Sequence, residues 1–386
     1  MRHNAFDGEV TPGQLVDWYR RTRARTKSLF ELITEDAYYD RPIPLRNPIV
    51  FYEGHLPAFA VNTLVKLTLH ERGIDEHMET IFARGIDPAD EESVKSPTDL
   101  WPKRTEVLAY NEMAERLVEE HLQNCEAAFT IIEHELMHQE TLLYLLHALP
   151  YEKKRAAGGG RQAVDRGPGG VVRVPAGKAT LGQDLSFFGW DNEFPSITVD
   201  VDAFEIDAHN VTNGEYREYL EATGANPPHF WEGRTHWRGM FAFEPLNVNA
   251  PVYVTHEEAT RYARWKNKRL PTEAEWHRAA SGAPAGICDF ATYGDPVTIG
   301  QSDPSEFGVY DLTGNGWEWT SSLFEPFPGF EAMPSYLQYS ADFFDGAHYI
   351  LKGASPVTPR ELVRPSFRNW FRPGYPWVFA TFRCAR

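Results

Sequence analysis

Apolar residues recur at helical spacing along the first part of the chain. Leu15 and Trp18 belong to a set that fits one face of a helix, and a second such set runs from Val107 to Val118. Repeated amphipathic segments of this length predict an up-and-down bundle of about four helices. The predicted helices lie near residues 12–35, 48–72, 103–122 and 124–149. We therefore expect a helical domain over residues 1–155.

The pattern changes at residues 156–170, AAGGGRQAVDRGPGG, which are rich in glycine, have no apolar periodicity and are interpreted as a linker. Beyond them, short strand-like pieces such as VVRVPAG, ITVDVDAFEID and YILKGAS alternate with loops rich in Gly, Pro, Asn and aromatic residues. Only two stretches, near 212–222 and 255–267, have helical spacing. A second, strand-rich domain is predicted over residues 171–386, so the expected fold class is α+β.

Composition narrows the class of protein. The chain has 386 residues, of which 42% are hydrophobic and 24% charged, as expected for a globular protein of two domains. The net charge of -17 disfavours nucleic acid or an anionic membrane as a partner. There is no run of about 18 apolar residues and no apolar core of a signal peptide, so we expect no membrane span and a cytoplasmic location. The cysteines are widely separated, which fits a reducing compartment: Cys125, Cys288 and Cys384.

The first predicted helix carries a cluster of basic residues. The cluster consists of Arg20, Arg21, Arg23, Arg25 and Lys27. Five cations on one helix could hold an acidic ligand, although a solvated basic face is the more common arrangement. The sequence leaves both interpretations open.

The segment HELMHQE, residues 134–140, contains the clearest chemical signal. His134 and His138 lie about 40° apart around a helix, so both imidazoles can bind one ion, whereas Glu140 lies about 200° beyond His138 and is assigned a structural role. Two histidines are half of a metal site, and imidazole suits zinc, iron, copper or nickel alike. Two ordinary histidines without a metal are the simpler alternative.

The same residues also spell the HExxH motif of zinc peptidases, in which Glu135 would be the general base. The extended form of that motif requires Gly and His where this chain has Thr141 and Tyr144, so we disfavour this interpretation. A third ligand is available upstream, because His55 lies two turns into a helix that begins near Pro48. A single histidine in such a position is more often structural.

Several segments of the C-terminal part resemble the signature segments of the formylglycine-generating-enzyme (sulfatase-modifying-factor) domain. They are RLPTEAEWHRAA (269–280), FGVYDLTGNGWEWTSS (307–322), LKGAS (351–355) and FRNWF…FATFRCAR (367–386). The resemblance implies a compact C-type-lectin-like fold for most of residues 171–386, and allows a structural Ca(II) at the GNGWEW loop. In formylglycine-generating enzymes two nearby C-terminal cysteines bind copper. Here only Cys384 is present, so that activity is not expected.

This domain together with a DinB-like four-helix bundle and an HxxxHxE box resembles the bacterial ergothioneine-type sulfoxide synthases. These are non-haem iron(II) enzymes that use O2 to join a thiol sulfur to the imidazole ring of hercynine (N-trimethyl histidine) or of histidine. The resemblance covers essentially the whole chain and implies Fe(II) as cofactor and O2 as co-substrate. It places the three-histidine metal site of the family on His55, His134 and His138.

The resemblance also implies where the acceptor binds. Asn369 and Trp370, in the FRNWF segment, are the best candidates for substrate contacts. A trimethylammonium group is bound well by aromatic faces, which Trp370, Phe371, Trp377 and Phe379 could provide. Each of these rings could equally belong to the core of an aromatic-rich domain.

Tyrosine donates a proton near the metal in members of the family. The segment PSYLQYSADFF carries Tyr336 and Tyr339 at a spacing similar to that of the family's tyrosine pair, and both are therefore candidate catalytic residues. Ordinary loop aromatics are the alternative for both.

Two departures from the family pattern leave the identity of the sulfur or selenium donor open. Members that use γ-glutamylcysteine have an aspartate and an arginine where this chain has Phe371 and Tyr375. Cysteine is one possible thiol donor. A selenosugar, the donor of the related selenoneine synthases, is another, since Tyr375 and Trp377 could stack on a sugar. A non-catalytic lectin-like binding module is the alternative from another functional class.

Overall fold

The computed structural model of the protein describes residues 1–83, 101–155 and 169–386. The chain forms two compact units. The helical unit comprises Met1–Ala157 and Pro334–Tyr336, and the strand-rich unit comprises Gly158–Met333 and Leu337–Arg386. Most of the predicted linker lies outside the described residues. None of the described helices is both long enough and apolar enough to span a membrane.

The helical unit is built from five α-helices and one π-helix within the described residues. They are α1 (Pro12–Phe30), α2 (Ile49–Ala60), the π-helix Val61–Thr68, α3 (Glu76–Ile81), α4 (Arg104–His121) and α5 (Glu126–Ala148). Helix α1 begins at a capping box in which Thr11 and Gln14 bond to each other's backbone, with Pro12 at the first position. It ends before the predicted residue 35, because Ile33 leaves the helix to form a β-bridge with Lys154.

The predicted helix over 48–72 changes its hydrogen-bond pattern after Ala60. Pro57 lies inside α2 and has no N–H for the carbonyl of Glu53, and the side chain of Asn111 donates to that carbonyl instead at 3.0 Å. The chain then continues as the π-helix, a form that is uncommon and that the apolar pattern did not predict. Helix α3, which the apolar pattern did not predict, has six residues and is capped by the preceding Asp75, whose side chain accepts two backbone N–H bonds.

Helix α5 is the most deeply buried long helix of this unit. Its side chains Phe129 and Leu136 are fully buried, and both α1 and α2 pack against it. Every residue of α2 is buried as well. Helices that are apolar on nearly all sides are buried in this way. Of the histidines that these two helices carry, His55 and His134 are buried and His138 is partly buried.

Within its described residues, the strand-rich unit contains short strands and three α-helices, which confirms the predicted α+β class. The strands are β1 (Val171–Val174), β2 (Gly177–Leu181), β3 (Ile197–Val201), β4 (Phe204–Asp207), β5 (Trp231–Glu232), β6 (His236–Arg238), β7 (Phe243–Pro245), β8 (Gly316–Leu323), β9 (Tyr349–Ala354), β10 (Asn369–Phe371) and β11 (Ala380–Thr381). The helices are α6 (Asn213–Thr223), α7 (His256–Trp265) and α8 (Glu273–Ala279). Two of these helices were predicted, and α8 was not, because seven residues are too few to show a helical period.

The largest sheet has the strand order β10-β9-β8-β11, in which only the β8 and β11 pair is parallel. Strands β1 and β4 form one two-stranded sheet, β2 and β3 another, and β5, β6 and β7 a three-stranded sheet. Short 3-10 helices occur in both units, at Glu35–Ala37, Tyr151–Lys153, Asp191–Glu193, Ala341–Phe343 and Arg360–Leu362.

Buried ion pairs fix the central sheet. Arg383 is fully buried and forks onto Glu318 of β8 through two hydrogen bonds of 2.6 and 2.8 Å. Arg368, directly before β10, pairs with Glu273 of α8, and Lys352 of β9 lies 3.6 Å from the same carboxylate. Because each charge is buried with a partner, these pairs hold the strands in one arrangement. The strand that carries Asn369 and Trp370 is therefore firmly placed.

Candidate functional site

Three histidines converge in the helical unit. His55 lies on α2, and His134 and His138 lie one turn apart on α5. One ring nitrogen from each lies within 4.8 Å of the other two, and the Nε2 atoms of His134 and His138 are 3.2 Å apart. This is the only such group of potential ligands in the described part of the chain. The three predicted metal ligands are thus brought together.

Neighbouring groups orient these rings. Nδ1 of His55 is 2.9 Å from the backbone carbonyl of Phe82, and since a carbonyl can only accept, Nδ1 carries the proton and Nε2 the lone pair. Phe51 stacks on His55 with ring centroids 4.7 Å apart, and Phe59 stacks on His134 at 3.7 Å. Rings held in this way keep their nitrogens in a fixed direction.

Burial keeps the three imidazoles neutral. It lowers the pKa of His55 to about 4, with the Phe82 carbonyl acting weakly in the opposite direction. Burial also holds the pKa of His134 and of His138 well below the usual value for histidine. All three rings are therefore uncharged near pH 7. A neutral imidazole is the form that binds a metal ion.

The arrangement fits a metal ion. Two nitrogens that bind one ion at a right angle, each about 2.1 Å away, lie about 3 Å apart, close to the separation of the His134 and His138 Nε2 atoms. The same separation also suits a hydrogen bond between two rings. The third neutral imidazole, at His55, is what favours an ion. Nδ1 of His134 and Nδ1 of His138 are buried without a hydrogen-bond partner among the described residues.

Glu135, the general base of the disfavoured peptidase interpretation, is engaged elsewhere. Its carboxylate accepts hydrogen bonds from Arg23 at 2.8 Å and from Thr26 at 2.6 Å, both on α1. Glu140 accepts a bond of 2.7 Å from the hydroxyl of Tyr144. Both carboxylates therefore join helices or successive turns of a helix, as a structural role requires.

The basic cluster of α1 is not the fully solvated face that its composition suggested. Arg23 is buried and pairs with Glu115 and Glu135. Arg20 pairs with Glu119, and Lys27 with Glu115. The acidic groups that these cations hold therefore belong to the protein itself, to α4 and α5.

The two candidate catalytic tyrosines belong to different units. Tyr336 is part of the helical unit, with its ring 6.0 Å from that of His134 and 5.1 Å from that of Phe59. Tyr339 belongs to the strand-rich unit, is buried, and stacks on Trp190 at 3.9 Å. Of the two, Tyr336 is therefore the one near the histidines within a single compact unit.

Three of the predicted substrate residues, Asn369, Trp370 and Phe371, form β10, and Tyr375 and Trp377 follow it in the chain. Trp370 stacks on Phe324 at 4.1 Å and meets Tyr339 edge to face at 5.3 Å. Its neighbour Phe371 instead stacks on Tyr375 at 5.0 Å. Successive residues of a strand point to opposite faces, so these rings cannot all line one pocket wall. The side chain of Asn369 accepts a hydrogen bond of 3.0 Å from the backbone N–H of Trp370.

The second aromatic group consists of Phe371, Tyr375 and Trp377, whose rings follow one another at 5.0 and 5.1 Å. All three are partly exposed. Phe379, also considered for cation–π contact, is fully buried against Phe230. It belongs to the core and is excluded as a substrate contact.

Sequence reasoning missed several neighbours of these residues. Phe59 and Phe82 orient the histidines, and Trp190 and Phe324 pack beside Tyr339 and Trp370. Phe59 lies four residues after His55, and that helical spacing could have identified it. Phe82 and Trp190 come from remote segments, for which the sequence contains no comparable signal.

The strand-rich unit also has a cavity of 480 Å³, which none of the predicted site residues line. Asp207, His209, Tyr262 and Lys268 are among its walls. The side chain of Asn315 in the GNGWEW loop exchanges two hydrogen bonds with the backbone of Val297. A calcium ion at this loop remains a prediction.

Comparison with known proteins gives a family and named relatives. The Sulfatase-modifying factor enzyme 1-like domain matches residues 159–293 and 289–386. Ergothioneine biosynthesis protein 1 of Neurospora crassa is 27% identical over 495 residues, covering 92% of this chain and 56% of that protein. Hercynine oxygenase of Mycolicibacterium smegmatis is 33% identical over 305 residues, covering 66% of this chain and 70% of that protein.

The chain thus spans between about half and seven tenths of the length of these two relatives. Among solved structures, PvdO from Pseudomonas aeruginosa is similar with a TM-score of 0.43 and 23% sequence identity. That similarity covers 56% of this chain and 93% of PvdO.

Proposed function

The chain belongs to the ergothioneine synthase family, and on this premise we propose that it joins a thiol sulfur to the imidazole ring of hercynine. The names of the relatives support hercynine as the acceptor, with histidine as the alternative. The chemistry requires an oxidant, which we propose is O2, and a metal site at which the reactants meet.

The observation that carries the proposal is the convergence of three neutral imidazoles in the helical unit. His55, His134 and His138 would hold an Fe(II) ion through their unprotonated nitrogens. When bound, iron would supply the redox chemistry that lets O2 react with a thiol and an imidazole. The family premise favours iron, since an all-imidazole set by itself also suits zinc, copper or nickel.

The atoms of the proposed reaction balance. The imidazole loses its C–H bond and the thiol its S–H bond, and a carbon–sulfur bond forms. One oxygen atom of O2 is transferred to sulfur to give a sulfoxide, and the other leaves as water with the two hydrogens. The chain must therefore supply or relay a proton, and the hydroxyl of Tyr336 is our candidate for this step.

The acceptor would be recognised through its charge. The partly exposed face of Trp370 would attract the trimethylammonium group of hercynine, and the Asn369 amide would bond to its carboxylate. Phe324 stacks on one face of Trp370, and Tyr339 and Phe343 lie 5.3 and 5.6 Å from the indole, so these three rings fix its direction.

A second candidate differs only in the donor. Phe371, Tyr375 and Trp377 present a run of partly exposed aromatic rings, and the C–H faces of a sugar stack on such surfaces. This observation favours a sugar-linked donor, including a selenosugar that would give a carbon–selenium bond. A dipeptide thiol with two carboxylates would find no cation among these three side chains.

The test is reconstitution of the apoprotein with Fe(II) under anaerobic conditions, followed by hercynine, one donor and O2. The donors are cysteine, γ-glutamylcysteine, a thiosugar and a selenosugar, and mass spectrometry identifies the product. We expect one donor to give a product whose formation requires both iron and O2. Histidine in place of hercynine tests the aromatic contact, because a faster reaction with histidine contradicts a role for Trp370 in holding a trimethylammonium group.

Two histidine substitutions in the helical unit test the metal centre, one at a proposed ligand and one as its matched control. His138→Ala removes a proposed ligand, and we expect loss of iron and of product. His77→Ala removes an exposed histidine of α3 outside the cluster, and iron content should stay at the wild-type level. Equal iron content in both variants, or product formation without iron, would refute the proposed centre.

A further inference from the structure

Gly54 occupies an unusual place for a glycine. It lies in the middle of α2, fully inside the helix and buried, although glycine is unfavourable in a helix compared with alanine. Its backbone conformation is ordinary for a helix, so conformational freedom does not explain it. A steric reason does, because a Cβ atom at this position would lie 2.4 Å from Cε2 and 2.5 Å from Cζ of Phe82.

The ring of Phe82 has little room to retreat from such a Cβ. It is fully buried, stacked on Trp101 with centroids 5.8 Å apart and 6.4 Å from the ring of Phe51. Relief of the contact requires a displacement of about 1 Å, since carbon atoms in contact are about 3.5 Å apart. In a packed interior the displacement is shared by the side chain and the backbone of Phe82.

The backbone of Phe82 is also what orients His55. Its carbonyl accepts the 2.9 Å hydrogen bond from His55 Nδ1. If the backbone takes about 0.6 Å of that displacement in the direction away from the ring, the bond lengthens to about 3.5 Å and is lost. One residue therefore touches Gly54 with its ring and His55 with its carbonyl. This links the glycine to the neighbouring histidine through Phe82.

From this linkage we infer that Gly54 is a positioning residue for the metal ligand His55. The missing side chain lets Phe82 sit where its carbonyl fixes both the tautomer and the ring direction of the imidazole. The inference rests on the metal site of the proposed function. It adds a residue that would not touch the metal or the substrate.

The experiment measures Co(II) binding to the metal-free full-length protein, by titration against a competing chelator and by visible absorption. We expect Gly54→Ala to weaken Co(II) binding by about 10- to 100-fold, the usual effect of losing an outer hydrogen bond to a metal-bound histidine. The absorption bands of the Co(II) complex should also change, because the His55 ring changes direction. Gly13→Ala is the matched control, since a Cβ there meets nothing within 4 Å.

A second substitution separates positioning from general damage. Leucine at position 82 lacks the ring atoms that a Cβ at Gly54 would strike but keeps the backbone carbonyl. We therefore expect Gly54→Ala combined with Phe82→Leu to bind Co(II) about as tightly as Phe82→Leu alone. The double variant also covers the case in which Gly54→Ala by itself does not fold.

Each outcome supports or overturns the inference that Gly54 positions His55. If wild-type protein does not bind Co(II), the proposed metal site fails and this inference with it. If the wild type binds and Gly54→Ala binds equally well, the inference alone is wrong. It is also wrong if the double variant folds, as judged by circular dichroism, yet binds Co(II) at least 10-fold more weakly than Phe82→Leu alone.

Discussion

The ring of Tyr336 lies 6.0 Å from the ring of His134 within the helical unit. Two bonds from α5 hold the short segment that carries this tyrosine. The backbone N–H of Ser335 donates to Glu126 at 3.1 Å, and the hydroxyls of Ser335 and Thr130 are 2.9 Å apart. The same helix thus carries two of the proposed ligands and anchors the candidate proton donor.

This placement predicts that Tyr336→Phe impairs the reaction without emptying the metal site. Loss of a positioned proton donor lowers turnover by about 10²- to 10⁴-fold, whereas the three imidazoles are untouched. We expect kcat to fall within that range and iron per chain to stay at the wild-type level. Steady-state kinetics and metal analysis of the same preparation measure both.

Tyr339→Phe is the control for this prediction. Tyr339 is buried in the strand-rich unit and stacked on Trp190, so removal of its hydroxyl should leave kcat nearly unchanged. The reverse result, with Tyr339→Phe inactive and Tyr336→Phe active, would assign the proton donor to the other tyrosine.

The second prediction follows from the buried ion pair of Arg23 and Glu135, which gives Glu135 a structural role. Glu135→Gln leaves a buried guanidinium with Glu115 as its remaining partner, so the free energy of unfolding should fall by about 1 to 3 kcal/mol. Product formation should persist in the folded variant, and peptide cleavage should be absent from wild type and variant alike. Urea unfolding and a peptide-cleavage assay measure these quantities.

Glu119→Gln is the matched substitution for Glu135. Its partner Arg20 is 60% exposed, and an exposed pair contributes less than about 1 kcal/mol. If Glu119→Gln destabilises the protein as much as Glu135→Gln, burial of the Arg23 pair is not what matters.

The placement of the two α5 histidines side by side could be predicted from the sequence, because helical geometry alone places residues four apart on one face. It could not place His55 beside them, since the packing of α2 on α5 leaves no trace in either helix's own periodicity. The position of His55 on a predicted helix offered it as a third ligand, and the family resemblance supplied the support for it. The carbonyl of Phe82 and the ring of Phe59, which orient the ligands, were not predicted at all.

For β10, by contrast, local geometry that the sequence already contained was not used in the prediction. The alternating faces of a strand already imply that Trp370 and Phe371 point in different directions, yet both were named as candidates for contact with the same trimethylammonium group. The burial of Arg23 was not predictable in this way, because composition describes a charge but not the carboxylates that meet it from other helices. Local geometry was readable from the sequence, and long-range partners were not.

The third prediction concerns stability and follows from the buried ion pair of Arg383 and Glu318. Arg383→Met leaves the Glu318 carboxylate buried without its guanidinium partner, which costs about 3 to 5 kcal/mol in the free energy of unfolding. Arg386→Met is the control, because Arg386 is 59% exposed in its pair with Glu205 and should contribute less than about 1 kcal/mol. Urea titration of both variants measures the difference, and equal midpoints would contradict the role assigned to the buried pair.

A fourth prediction concerns how the free energy of unfolding depends on pH through the carboxyl of Asp191. Burial raises the pKa of Asp191 to about 6, although the hydroxyl of Ser340 donates to its Oδ1 atom and partly opposes the shift. A raised folded-state pKa means that the protonated carboxyl favours the folded state. Its contribution to stability is therefore complete below about pH 4 and is lost as the pH rises through about 6.

Asp191→Asn removes this titration while keeping the shape of the side chain. Relative to wild type, the variant should gain stability between pH 4 and pH 7.5, by an amount approaching about 3 kcal/mol for a shift of about two pKa units. Urea unfolding of both proteins across that pH range gives the difference directly. Asp200→Asn, at an exposed carboxylate, should show no comparable rise. A difference for Asp191→Asn that stays constant with pH, or that shrinks as the pH rises, would mean that Asp191 is already ionised in the folded protein at low pH.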